Sequence, residues 1–271
     1  MKYGICLNMA AKDSEKLGIS LLPQIAEAGY DYVEMAVMNS MTLTREAFKE
    51  RVAAPIRESG LPCLRMNSFC GADQSFLGKE NQKRALEYTK EALERAVILG
   101  AEVIVIGSGI ARSAGPGQDP SEAQREMTAF FRDAADLARD AGIELALEGL
   151  NRQETNMYCT MDAVMRQVGE VRKENFGALV DYFHFSLGNK DPESLAGIAD
   201  QIRHVHIARM IGRVIPVTAA EDRGYVPFLR ALRRGGYDRT LSIEANCPGD
   251  FGPAARDGLR VLKEIWESAS V

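Results

Sequence analysis

Short runs of apolar and β-branched residues alternate with longer stretches in which apolar positions recur every three or four residues, and the alternation repeats eight times. The runs predict strands at residues 2–8, 31–36, 62–68, 102–107, 143–148, 176–181, 202–207 and 240–245. Between and after them the periodicity predicts helices near 18–29, 44–59, 80–100, 120–141, 160–173, 192–200, 225–235 and 252–268. Thr44, Ser121, Thr160 and Asp191 are expected to cap helix N-termini, while Gly29, Gly60, Gly100, Gly142 and Gly235 or Gly236 stand where helices should stop. Five segments, AEAGYDYVE, RESGLPCL, VILGAEVIV, RDAGIELAL and RRGGYDRTL, read as the same short turn from a helix into the next parallel strand. Eight such units in 271 residues average about 34 residues each, which suits a closed (β/α)8 barrel of ~250 residues. An open doubly wound sheet commonly carries a Gly-rich fingerprint after its first strand, and NMAAKDSEKLG contains none. With no linker or change of composition, the expectation is a single domain over residues 1–271, a TIM barrel.

Composition narrows the function. Hydrophobic residues make up 46% and charged residues 26%, an ordinary globular balance. A formal charge of -5 without a basic run argues against nucleic acid or an anionic membrane as partner. No apolar stretch approaches the roughly 18 residues of a membrane span, and MKYGICLNMA has too short an apolar core for a signal peptide, so a cytoplasmic location is expected. Cys6, Cys63, Cys70, Cys159 and Cys247 lack C-x-x-C spacing and read as free thiols, buried or lining a pocket.

The candidate chemistry lies at four consecutive strand ends. IELALE, FGALVD, IRHVH and TLSIE close on Glu148, Asp181, His206 and Glu244. A charge at the end of a buried strand is costly unless something pairs with it. Singly, either glutamate could cap the following helix and His206 could be a hydrogen-bonded core residue. Together they occupy the C-terminal mouth of adjacent barrel strands, where catalytic groups sit in this fold. Three carboxylates with one imidazole suit Mn2+, with Mg2+ or Co2+ as substitutes, and do not suit thiolate-rich zinc binding. His204, two residues before His206, should point the same way one layer deeper, as a structural or supporting histidine. Glu34 ends the second strand in DYVEMAV and is expected to hydrogen-bond within the mouth. Phe69 and Cys70 are expected beside the pocket.

The segments LALEGLNRQETN, LVDYFH, HVHIARMIGRVIP and SIEAN resemble the sugar isomerase and 3-epimerase group of xylose-isomerase-like barrels, with tagatose/psicose 3-epimerase and hydroxypyruvate isomerase among its members. The resemblance implies that Glu148 and Glu244 are both metal ligands and the acid/base pair, that Asp181 and His206 complete the metal shell, and that Glu154, His184 and Arg213 contact a sugar. It implies an isomerase, a ketose 3-epimerase or an aldose-ketose isomerase, acting on a small sugar or sugar derivative. A homo-oligomer, dimer or tetramer, stays open. The physical reading agrees: a ketose α-proton is too weakly acidic for an unassisted carboxylate, so a cation must polarise the carbonyl.

Two positions depart from the family pattern. Gly149 stands where relatives often have proline. Arg209, three residues past His206, adds a positive charge that would either select an anionic sugar or pair with a loop acid such as Glu221 or Asp222. A lyase or dehydratase acting on an inosose or 3-keto-sugar would use the same ligands and is the alternative; a non-catalytic sugar-binding barrel is a third. A trinuclear zinc endonuclease on this fold needs more than the three histidines present.

Overall fold

The computed structural model describes residues 1–188 and 191–270. Eight parallel strands close into a barrel in sequence order: β1 Lys2–Cys6, β2 Tyr32–Ala36, β3 Cys63–Asn67, β4 Val103–Ile106, β5 Glu144–Glu148, β6 Phe176–Asp181, β7 Ile202–Ile207 and β8 Thr240–Ile243. The ring closes where β1 pairs with β8 as well as with β2. Every boundary lies within two residues of the hydrophobic pattern. The largest differences are at β1, where Leu7–Ala10 already turns into a helix, and at β8, which ends before Glu244. Glu34 lies inside β2 instead of at its end, in register with Cys6 on β1 and Arg65 on β3.

The helices follow the periodicity with local corrections, among them a helix at Tyr182–Gly188 that the pattern does not predict. The segment expected to be helical over 44–59 is a helix at Arg45–Phe48, a π turn at Lys49–Ala53 and a helix again at Ala54–Glu58. Pro55 is the cause, because it has no N–H to give to the carbonyl four residues earlier. The helix expected from Ser121 starts at Pro120 and is capped by Asp119, whose carboxylate accepts from Ser121 N at 2.8 Å. Residues Pro192–Gln201 form a 3-10 helix. Thr44 and Thr160 cap as expected, accepting from Ala47 N and Ala163 N. Among the described residues no helix is long and apolar enough to cross a membrane.

Strand alternation divides each strand between the helix layer and the lumen. Ile104 and Ile106, Leu145 and Leu147, Val205 and Ile207, and Leu241 and Ile243 pack outward in the main core. Val103, Val105, Ala146 and Leu179 form a separate apolar cluster inside the barrel. The same parity turns Glu148, Asp181, His204, His206 and Glu244 inward. The lumen is therefore apolar beside β4–β6 and polar beside β1–β3, β7 and β8. There Tyr32 Oη meets Ser242 Oγ at 2.6 Å and Arg65 Nε donates to Thr240 Oγ1 at 3.2 Å.

Gly4 leaves the space that the Tyr32 ring fills: a Cβ at residue 4 would overlap the ring and crowd Ser242 Oγ at 2.7 Å. Gly4→Val is expected to cost about 1–3 kcal/mol by overpacking, measured as a lower urea midpoint. A midpoint equal to that of the parent would mean that the lumen yields without cost.

Candidate functional site

Glu148 and Asp181 are the last residues of β5 and β6, His206 is the penultimate residue of β7, and Glu244 directly follows β8 while its N–H still donates to Ile207 O at 3.1 Å. The barrel brings all four together: one donor atom from each lies within 4.8 Å of every other, and all four residues are buried. Asp181 Oδ1 is tied to Phe183 N at 2.8 Å, which leaves Oδ2 facing the cluster. Glu244 Oε1 accepts from Asn67 Nδ2 at 3.0 Å and its Oε2 faces His206 Nδ1 at 3.5 Å. Glu148 Oε1 and His206 Nδ1 are buried with no hydrogen-bond partner.

The three residues assigned to sugar contact by resemblance also reach this point. His184 Nε2 lies 3.9 Å from Glu148 Oε1 and 3.7 Å from Asp181 Oδ2. Its Nδ1 receives Asn151 Nδ2 at 3.0 Å and the Asn151 backbone N–H at 3.4 Å. Asn151 Oδ1 is occupied by Gln153 N, so the amide nitrogen faces the histidine. A neutral His184 must then carry its proton on Nε2, pointing into the site. Arg213 Nη2 donates to Asp181 Oδ2 at 3.0 Å and Glu244 Oε2 at 2.5 Å, with its guanidinium 5.0 Å from the Phe183 ring centre. The Arg213 backbone takes a φ of +45° and its carbonyl accepts Asn246 N at 2.8 Å, so the end of β8 holds the loop after β7. Glu154, at the rim, accepts from Asn151 Nδ2 at 2.8 Å and lies 4.0 Å from Arg213 Nη1.

A cavity of about 220 Å³ opens above the cluster, lined by Glu148, Glu154, His184, Arg213 and Glu244 among others, with Cys70 on its wall. Phe69 packs away from it against Phe76 and Tyr88. Arg209 is not part of the lining: its guanidinium lies 3.7 Å from Glu221, the loop-acid pairing.

Four further residues at the site are absent from the sequence-based candidates. Asn67 holds Glu244, and its place at the end of an apolar run was a usable signal. Asn151 orients His184 and Glu154 from a loop whose sequence discloses nothing of the sort. Arg112, wholly buried, donates to the Glu148 carbonyl at 2.7 Å, although an arginine in a loop ordinarily reads as solvated. Gly107 is needed because a Cβ there would collide with Glu148 Oε2.

Electrostatics separate the two glutamates. Burial, followed by the charges of Glu244 and Asp181, pushes Glu148 up to about 8. Burial also acts on Glu244, but His206 and Arg213 outweigh it and hold that carboxyl well below its usual range. His206 is pushed up against its own burial by Glu34 and Glu244. Arg213, whose burial opposes its charge, is held protonated by Glu244 and Asp181. The donor set fits a hard divalent cation. It offers three carboxylates and one imidazole nitrogen, of which Glu148 Oε1 and His206 Nδ1 are buried without a partner, at a spacing that bonds of ~2.1 Å would close with a small inward movement.

The sequence matches the family described as xylose isomerase-like TIM barrel over residues 22–265. A ketose 3-epimerase of Arthrobacter globiformis is 26% identical over 255 residues, covering 89% of this chain and 81% of that protein. The solved structure of D-psicose 3-epimerase with D-tagatose from Clostridium cellulolyticum H10 is similar with a TM-score of 0.85, 18% identity and 100% coverage of each chain. That of 3-keto-D-glucoside 4-epimerase from E. coli is similar with a TM-score of 0.78 and 22% identity, over 97% of this chain and 99% of the other. At such identities the structural likeness speaks for the fold. With the family match and the named relatives, the chain belongs to the xylose isomerase-like TIM barrel family and is an enzyme of the isomerase and epimerase class.

Proposed function

We propose that this protein is a divalent-metal-dependent epimerase of a keto-sugar, inverting a carbon next to the carbonyl by proton transfer through an enediolate. One observation carries the reading: two buried glutamates, one from β5 and one after β8, stand with Asp181 and His206 in one ligand cluster at the barrel mouth. Glu148, Asp181, His206 and Glu244 would hold the ion, Mn2+ by donor type and Mg2+ or Co2+ as substitutes. Bound there, the ion supplies Lewis-acid polarisation of the sugar carbonyl and offsets the negative charge that develops on its oxygens.

The chain's own groups supply the rest. One of Glu148 and Glu244 takes the α-proton as the C–H electron pair moves into the enediolate, and the other returns a proton to the opposite face. The carbon is inverted and nothing is oxidised or reduced. His184 Nε2–H donates to a sugar oxygen, Arg213 faces the enediolate charge, and Glu154 at the rim accepts from a hydroxyl. Two glutamates at one site, from β5 and after β8, favour epimerisation over a lyase reaction, which needs only a single base and a β-leaving group. The pairing of Arg209 with Glu221 removes the reason to expect an anionic sugar.

A second reading concerns substrate size. A further cavity of about 420 Å³ adjoins the first and shares Cys70, Ser108, Gly109 and Glu154 with it. It favours a keto-sugar bearing a substituent, as in the 3-keto-D-glucoside named for the E. coli relative.

The test is incubation of the Mn2+-loaded protein in D2O with free ketoses, keto-glycosides and keto-inositols, reading deuterium at the α-carbon and the epimer formed. Exchange that chelation abolishes supports the proposal. No exchange on any of these compounds, or elimination in place of epimerisation, would overturn it. On the substrate so found, Glu148→Gln and Glu244→Gln are each expected to lower kcat by ~10²–10⁴ with the fold kept. A variant that retained the parent rate would refute the two-base mechanism. Gly107→Ala should also lower kcat, by about tenfold or more, because the added methyl displaces Glu148 Oε2. Circular dichroism equal to that of the parent would show that the loss is local.

A further inference from the structure

Beneath the ligand cluster, buried polar groups form one continuous line across the lumen. Arg65 Nε lies 3.2 Å from Thr240 Oγ1, Thr240 Oγ1 lies 2.8 Å from His204 Nδ1, and His204 Nε2 lies 2.6 Å from Glu34 Oε1. Glu34 Oε2 then lies 3.1 Å from His206 Nε2. Glu34, His204 and His206 are completely shielded from solvent. Cys6 Sγ is the other neighbour of His206 Nε2, at 3.9 Å.

Hydrogen-bond chemistry gives this line a direction. A carboxylate only accepts, so Glu34 Oε1 fixes the His204 proton on Nε2, and Thr240 Oγ1, which accepts from the Arg65 guanidinium, gives its own proton to His204 Nδ1. By the same rule the second Glu34 oxygen takes the Nε2–H of His206. The His206 nitrogen left for a ligand is Nδ1, the buried atom without a partner that faces Glu244.

We propose that Glu34, oriented by the Arg65–Thr240–His204 chain, is the positioning residue that holds the His206 proton on Nε2 and presents Nδ1 to the ion. Its negative charge makes the imidazole a stronger donor, as outer carboxylates do for metal-bound histidines. The proposal rests on the metal reading above, and its test separates the two. An amide at residue 34 has one oxygen and one NH2, so it can accept from only one of the two histidines and must present a donor to the other. Glu34→Asp keeps both acceptors.

The test has two parts. Mn2+ affinity is measured by calorimetry on the parent, Glu34→Gln and Glu34→Asp, together with the melting temperature of each metal-free protein. Glu34→Gln is expected to bind about 10- to 100-fold more weakly, with Glu34→Asp closer to the parent and melting temperatures little changed. Secondly, 15N-histidine spectra of the Zn2+-saturated parent show which nitrogen of His206 keeps its proton; the chain has only three histidines to assign. Ligation through Nδ1 with the proton on Nε2 is the expected result. Ligation through Nε2, or parent-like Mn2+ affinity in Glu34→Gln, would overturn the proposal. The spectrum of the parent decides the matter even if the variants do not fold. Failure of the parent to bind either ion would instead refute the metal reading.

Discussion

Mutual repulsion among carboxylates is the constraint around which this barrel is arranged. Two like charges ~4 Å apart at an effective dielectric of ~20 repel by about 4 kcal/mol, and a domain's whole stability is only ~5–15 kcal/mol. Glu148, Asp181 and Glu244 meet in a buried mouth, with Glu34 one layer below. Such a cluster persists only if cations and hydrogen-bond donors stand against it. Arg213 contacts Asp181 and Glu244, His206 lies between Glu34 and Glu244, and Asn67 takes the remaining Glu244 oxygen. Glu148 Oε1 has no hydrogen-bond partner, and burial beside the charges of Glu244 and Asp181 raises the proton affinity of that carboxyl.

The same constraint explains the asymmetry of the lumen. Beside β4–β6 the interior below Glu148 and Asp181 is filled by Val103, Val105, Ala146 and Leu179, which offer no charge to compensate. On the other side Arg65, Thr240, Tyr32 and Ser242 carry a hydrogen-bonded network up to the histidines. One glutamate therefore lies over an apolar floor and the other over a polar one. Two residues of the same type acquire different proton affinities because His206 and Arg213 outweigh burial at Glu244 and do not at Glu148.

Gly107 and Arg112 show how loops serve the site without displaying any chemistry. One works by the absence of a side chain next to Glu148, the other by holding the Glu148 carbonyl from a buried position. Neither a glycine's clearance nor an arginine's burial has a local signature in the sequence. Arg209 is the converse case. Its charge looked significant in the linear chain, and a neighbouring glutamate accounts for it.

The chain by itself determined the barrel and the level of its chemistry. Alternation of strand and helix periods is local, and a charge closing a buried strand in a closed ring has only the mouth to occupy. Glu148, Asp181, His206 and Glu244 were therefore legible as one group before any distance was known. Tertiary structure alone decided what lies between and beneath them. Glu34 and His206 are 172 positions apart and Arg213 and Asp181 are 32 apart, so their pairing depends on the closure of the ring and the path of a loop with positive φ. The π turn before Pro55, the cap at Asp119 and the exact end of β8 are set by competing backbone hydrogen bonds, which side-chain pattern does not encode.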